Sequence, residues 1–203
     1  MKHAMKHAMK RSRLPRAARH QRGALLIEVL VSVVLCAFAL MAFASMQGRA
    51  SIAEFEALQR SQALVLAEDM GNRIDVNRAA ASSYVQTSLV GAGGLQNCSA
   101  LTSAARDVCD WSNLIRGSAE QTGSMAIGAM LGARGCIVRA AGSSDRYIIS
   151  VAWLGLAATG APTAPCGQGQ GDFPDEALRR VVSVTVCVAS LRDPATAPSI
   201  ARC

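Results

Sequence analysis

The chain has 203 residues, a formal net charge of +7 and only 4% aromatic residues, length enough for one ordinary domain plus a targeting segment. Residues 1–23 hold eight of the 21 basic residues and no acid, so the rest carries 13 basic against 14 acidic residues, a net of −1. That body has no surplus charge for gripping phosphate backbones unless its arginines cluster, and direct nucleic-acid binding is not expected. His3, His7 and His20 are the only histidines, and Lys2, Lys6 and Lys10 the only lysines. From residue 24 onward this removes Ser-His-Asp and Cys-His nucleophile systems, lysine Schiff bases and histidine zinc sites. The expected protein is not an enzyme, with no catalytic residue, metal or cofactor.

The first element is a basic leader, residues 1–23. Its MKHA repeat places His3 and His7 four apart, but it reads as a removable segment rather than a metal tract. Met1, Met5 and Met9 are all open as starts.

An apolar run follows from Ala24 to Met46 with one charge, Glu28, and neither Pro nor Gly. As a helix it spans about 34 Å at about 1.5 Å per residue, enough to cross a bilayer. The basic residues before it place the N-terminus in the cytoplasm. Glu28 is anomalous, because a carboxylate in an apolar membrane helix costs on the order of 3 kcal/mol. A cut after Gly23 would create an α-amine on Ala24, with Glu28 as the fifth residue of the new chain. Such an amine is mostly protonated below about pH 8 and could neutralise Glu28 of another subunit. Glu28 then reads as a register device for assembly.

The string Arg22-Gly23-Ala24-Leu25-Leu26-Ile27-Glu28-Val29-Leu30-Val31 resembles the class III signal of type IV prepilins and type II secretion pseudopilins. The resemblance implies cleavage by a prepilin peptidase after Gly23, N-methylation of Ala24, and Glu28 as the assembly residue at the fifth mature position. Ala24 departs from the Phe or Met that often begins the mature chain. Two other processings use the same stretch. Ala42-Phe43-Ala44 is a signal-peptidase sequence that would release a soluble exported protein starting at Ser45. A lipoprotein signal at Cys36 is disfavoured by the bulky Leu35.

From Gln47 to about Arg78 the pattern is helical, with Ile52, Phe55, Leu58, Leu66, Met70 and Ile74 as the expected apolar stripe. With the apolar run this predicts one helix of about 50 residues, half in lipid and half packed on a domain. Gly91-Ala92-Gly93-Gly94 marks a loop, and Ala104 to Ile115 a short helix. Strands are expected at Cys136–Arg139, Tyr147–Trp153 and Val181–Val188. Gly142-Ser143-Ser144-Asp145 supplies a turn, and Gly155 to Glu176 a long Gly/Pro loop. The fold class is α+β, a long N-terminal helix packed on an antiparallel sheet. The division is 1–23 leader, 24–46 transmembrane and assembly half-helix, and 47–203 exported globular domain.

The body resembles the PilV-type minor pilins. Ala67-Glu68-Asp69-Met70-Gly71-Asn72-Arg73-Ile74-Asp75-Val76-Asn77 is similar to the end of their long helix, with Tyr84 following. Asp107-Val108-Cys109-Asp110-Trp111 resembles their Asp-x-x-x-Trp element. Gly135-Cys136-Ile137, Tyr147 to Trp153 and Arg179-Arg180-Val181-Val182 resemble their strands. The pilin-like fold is implied, as is a subunit that initiates or primes a filament, near its tip. Implied partners are the prepilin peptidase, other minor and major pilins and the inner-membrane assembly platform. The implied location is the inner membrane and then the pilus at the cell surface. Adhesion, twitching motility or DNA uptake would belong to the whole machine. A type II secretion pseudopilin is the alternative within the superfamily.

Cys98, Cys109, Cys136, Cys166, Cys187 and Cys203 are widely spaced and form no C-x-x-C, which suits disulfides in an oxidising compartment. Fifteen full connectivities are open; Cys98–Cys109 and Cys187–Cys203 are local guesses. Trp111 and Trp153 are expected in the core. Asp172, Asp175 and Glu176 read as a solvated turn rather than a calcium loop.

Overall fold

The computed structural model describes residues 24–119, 121–122, 125–126 and 130–188, with side chains for 25–119 and 130–188. Helix α1 runs over Ala24–Val76, 53 residues. A 3₁₀ segment, Arg78–Tyr84, follows, then helix α2, Ser103–Ile115. Strands β1 (Gln121–Thr122) and β2 (Met125–Ala126) pair as a short ladder. Strands β3 (Arg134–Arg139), β4 (Arg146–Leu154) and β5 (Arg179–Cys187) form an antiparallel sheet in the order β3-β4-β5. This is the α+β, pilin-like arrangement expected: a long N-terminal helix followed by an antiparallel sheet.

By internal contacts the chain divides between Gly48 and Arg49 into two units. The first contains the apolar part of α1. The second contains the rest of α1, α2 and the sheet.

In the second unit α1 buries Ala63, Ala67, Met70 and Ile74 completely. Their spacing of four, three and four residues keeps them on one face. Against them stand Ile137 of β3, Tyr147, Ile149, Val151 and Trp153 of β4, and Val182 of β5. These alternate along each strand, as a half-buried sheet requires. Small residues allow close approach. A Cβ on Gly71 would lie 2.7 Å from the Val186 side chain.

The structure corrects the expected apolar stripe. Leu66, Met70 and Ile74 face the core, but Ile52, Phe55 and Leu58 are 42%, 60% and 55% exposed. The buried face is carried by alanines, which a count of large apolar residues passes over. Periodicity alone finds apolar positions; it does not say which of two apolar faces the sheet covers.

Both tryptophans lie in the core. Trp111 of α2 is fully buried, and its indole N–H donates to the Leu66 carbonyl of α1 at 2.8 Å. Gly135 of β3 makes room for this ring, since a Cβ there would lie 2.4 Å from Trp111. Helix α2 is closed after Ile115 by Gly117, whose φ of 78° turns the chain so that the Ser118 N–H reaches back to the Asn113 carbonyl at 3.0 Å, a left-handed cap that glycine adopts without a Cβ penalty.

The turn at 142–145 joins β3 and β4, with Ser143 Oγ accepting from the amides of Asp145 and Arg146. The loop from Gly155 to Leu178 has no strand. It covers part of the opposite sheet face, where Cys166 and Phe173 pack on Ala152 in a second small core.

Candidate assembly site and its scaffold

In the first unit the described side chains are all exposed, and the most apolar 18-residue window of the helix has a mean hydropathy of 2.7. Leu25, Leu26, Ile27, Leu30, Leu35, Phe38, Leu40, Met41 and Phe43 are each more than half exposed. A helix apolar all round is suited to lipid or to burial among other helices. By length and composition this helix can cross a membrane.

Glu28 is the acid in this unit, and it too is exposed. Its backbone carbonyl accepts the Ser32 hydroxyl at 2.6 Å, which satisfies that hydroxyl within the helix. Ala24 is the first residue of α1. Gly23 and the expected leader lie outside the described residues, so Gly23, Ala24 and Glu28 stand as expectations. Cys36 is an exposed free thiol.

The second unit is held by polar clasps whose partners are far apart in sequence. One gathers the end of α1, the 3₁₀ segment and α2. Arg73 pairs with Asp69 at 2.9 Å and with Asp107 at 3.4 Å. Tyr84 donates its hydroxyl to Asp107. Asn77 donates to the Tyr84 oxygen and to Ser103 Oγ, each at 3.0 Å. Burial, and then the hydrogen bond to Asp107, push the Tyr84 phenol up to about 12. Asp69, Arg73, Asn77 and Tyr84, from one quoted sequence element and its flank, and Asp107, from another, are thus one cluster.

A second clasp joins α1 to the end of the sheet. Glu56 Oε1 accepts the amides of Leu156 and Ala157 at 3.1 and 3.3 Å and the Arg180 guanidinium at 3.2 Å. Arg180 also donates to the Ala157 carbonyl.

A third orders the Gly/Pro loop. Arg179 is completely buried, paired with Glu176 at 2.7 Å, and donates to the carbonyls of Ala164, Cys166 and Pro162 at 2.8, 3.0 and 3.2 Å. A buried cation needs this degree of pairing to be tolerated. Arg134 grips Asp172 with Nε and Nη2 at 2.9 and 2.6 Å.

The expected solvated turn at 172–176 is therefore partly wrong. Asp172 and Glu176 are ion-paired to arginines, while Asp175 accepts the Ala177 amide at 2.8 Å. The long-range partners were not visible in the sequence, since Glu56 and Arg180 are 124 positions apart. The local signals were Asp69 four residues before Arg73 and Glu176 three residues before Arg179.

Cys98 is bonded to Cys109 and Cys136 to Cys166. Cys187 is also disulfide-bonded; Cys203, its guessed partner, lies outside the described residues. Cys98–Cys109 ties the loop before α2 to that helix, and Cys136–Cys166 ties the Gly/Pro loop to β3.

Residues 45–109 match the family model described as Tt1218-like, type IV pilin Tt1218. The matched segment covers about a third of the chain and contains the second part of α1, the Arg73–Tyr84–Asp107 cluster and the first half of α2. No curated protein matches the chain, and no solved structure does. The match supports a type IV pilin, a family that is structural rather than catalytic in general, and whose members associate with other pilins and the pilus machinery. The apolar N-terminal helix is consistent with membrane anchoring and incorporation into a pilus.

Proposed function

We propose that the chain is a minor pilin, made with a basic leader, cut after Gly23 and held in the inner membrane by residues 24–46 until it enters a filament. The observation that carries this reading is Glu28, one carboxylate in an otherwise apolar, outward-facing helix, five residues after Gly23. In lipid that charge needs a partner. The α-amine of Ala24 on an adjoining subunit supplies one, so the pair forms when helices assemble in register. The family match in the segment that follows supports the same reading.

The role is to initiate or prime the filament with other minor subunits and to remain near its tip. The exported domain, residues 47–203, then faces outward. The prepilin peptidase, the other pilins and the inner-membrane platform are the partners.

The test is the intact mass and N-terminal peptide of the protein from its native membrane fraction. A start at Ala24, with or without one methyl group, supports prepilin processing. Neighbouring genes for minor pilins, rather than for a secretin and its cargo, then separate a pilus from a type II pseudopilus. A start at Ser45 overturns the filament reading in favour of a signal-peptidase-released binding module or enzyme.

A further inference from the structure

The two edges of the sheet are unlike. On the β3 side, Gln86 N–H donates to the Ile137 carbonyl at 3.0 Å, and Val90 and Gly135 exchange amide bonds at 2.9 and 2.8 Å. That edge is capped by residues 86–90.

On the β5 side the ladder shows which groups are free. Gly155 N–H donates to the Leu178 carbonyl at 2.7 Å, and Val188 N–H to the Asp145 carbonyl at 2.8 Å. In the register Trp153↔Arg180, Val151↔Val182, Ile149↔Val184 and Tyr147↔Val186, the hydrogen-bonded pairs therefore fall on the even-numbered residues of β5. In an antiparallel pair the intervening residues aim their N–H and C=O groups the other way. These are Val181, Ser183 and Thr185, and among the described residues nothing partners their backbone groups. Ser183 and Thr185 are exposed.

A free edge invites another chain, and proteins usually blunt one with Lys, Pro, a charge or a bulge. Val181-Val182-Ser183-Val184-Thr185-Val186 has none of these. The two arginines just before it are occupied, Arg179 by its buried cage and Arg180 by Glu56. Val184 and Val186, on the face toward α1, are only partly buried, so an added strand would cover them as well.

We propose that the outer edge of β5 receives an extended, uncharged segment of a second, non-identical filament subunit by antiparallel strand addition. The identity of that partner rests on the pilin reading above. A second copy of this chain is disfavoured. Antiparallel pairing of two β5 strands about Ser183 demands a two-fold axis normal to the sheet, which reverses the part of α1 packed on that sheet. Copies that add to one polar filament, as the pilin reading implies, carry this part of α1 in the same sense.

The experiment uses the full chain in cells that make their own complete set of subunits. A photoreactive phenylalanine analogue is placed at Thr185, and adducts are identified by mass spectrometry, with and without Ser183→Pro. The Ser183 amide points outward, so proline there removes an edge donor and leaves the β4 ladder whole. Val184→Pro, which breaks a ladder bond, is the unfolding control. Protease resistance and an intact Cys136–Cys166 bond report folding.

The expected result is an adduct with a different chain that has its own Gly-x₄-Glu apolar N-terminus, reduced about tenfold by Ser183→Pro in a folded subunit. An adduct with a second copy, an adduct undiminished by Ser183→Pro, or no adduct from a folded subunit processed at Ala24 overturns the proposal. A start at Ser45 sinks the pilin reading by itself. An adduct lost in Ser183→Pro would then still establish edge pairing, with the partner read from its mass.

Discussion

The Arg180 guanidinium on β5 lies 3.2 Å from the Glu56 carboxylate on α1, and the same carboxylate oxygen accepts two loop amides. Both side chains are largely shielded, at 15% and 25% exposure. Gly155 permits the arrangement, because a Cβ there would lie 2.7 Å from the Arg180 guanidinium carbon. One acid thus ties α1 to the start of β5 and to the loop after β4, seven residues before Ala63, the first buried residue of the helix. Glu56→Ala leaves Arg180 and two amides short of an acceptor and should cost about 2 kcal/mol. Urea unfolding of the detergent-solubilised protein, followed by tryptophan fluorescence, measures it. An unchanged midpoint would show that water replaces the carboxylate without loss.

Gly135→Ala tests the contact between β3 and α2. The new methyl group would meet Trp111 at 2.4 Å and Ile115 at 2.7 Å, and both side chains are buried. Overpacking of this kind costs about 1–3 kcal/mol. The same unfolding assay reads the loss, and the Trp111 emission should shift as the ring is displaced from the Leu66 carbonyl.

Alkaline pH should weaken the Tyr84 cluster. The folded phenol is raised to about 12 against about 10 in an unfolded chain. Between those values the folded state holds a proton that the unfolded state has lost, so stability falls as pH rises through that window. Below about pH 10 this contribution is fully present. Tyr84→Phe should be less stable at neutral pH and flatter between pH 10 and 12. Parallel curves for the two proteins over that window would contradict the assignment.

Glu28→Ala removes the proposed assembly charge without touching the second unit. The variant should be cut after Gly23 and inserted normally but be largely missing from sheared filaments. Quantitative immunoblotting of the sheared and membrane fractions checks this. Normal incorporation would end the pairing of Glu28 with the α-amine.

The sequence by itself determined the membrane-length helix, its single acid, the α+β order and the three main strands. Each rests on a short-range pattern: an uninterrupted apolar run, alternation over a few residues, glycine and proline at turns. It also marked Trp111 and Trp153 as core residues from their size and isolation. Only the tertiary structure decided which face of α1 is covered, where Ala63 and Ala67 replace the larger Phe55 and Leu58 at the contact. The tertiary structure also decided that Arg179, Arg180 and Arg134 are clasps, and that among the described residues the outer edge of β5 is unpaired while that of β3 is not. Those outcomes depend on groups separated by tens to more than a hundred residues. A charge or a strand edge has no local signature of the partner that will satisfy it; the fold has to bring the two together first.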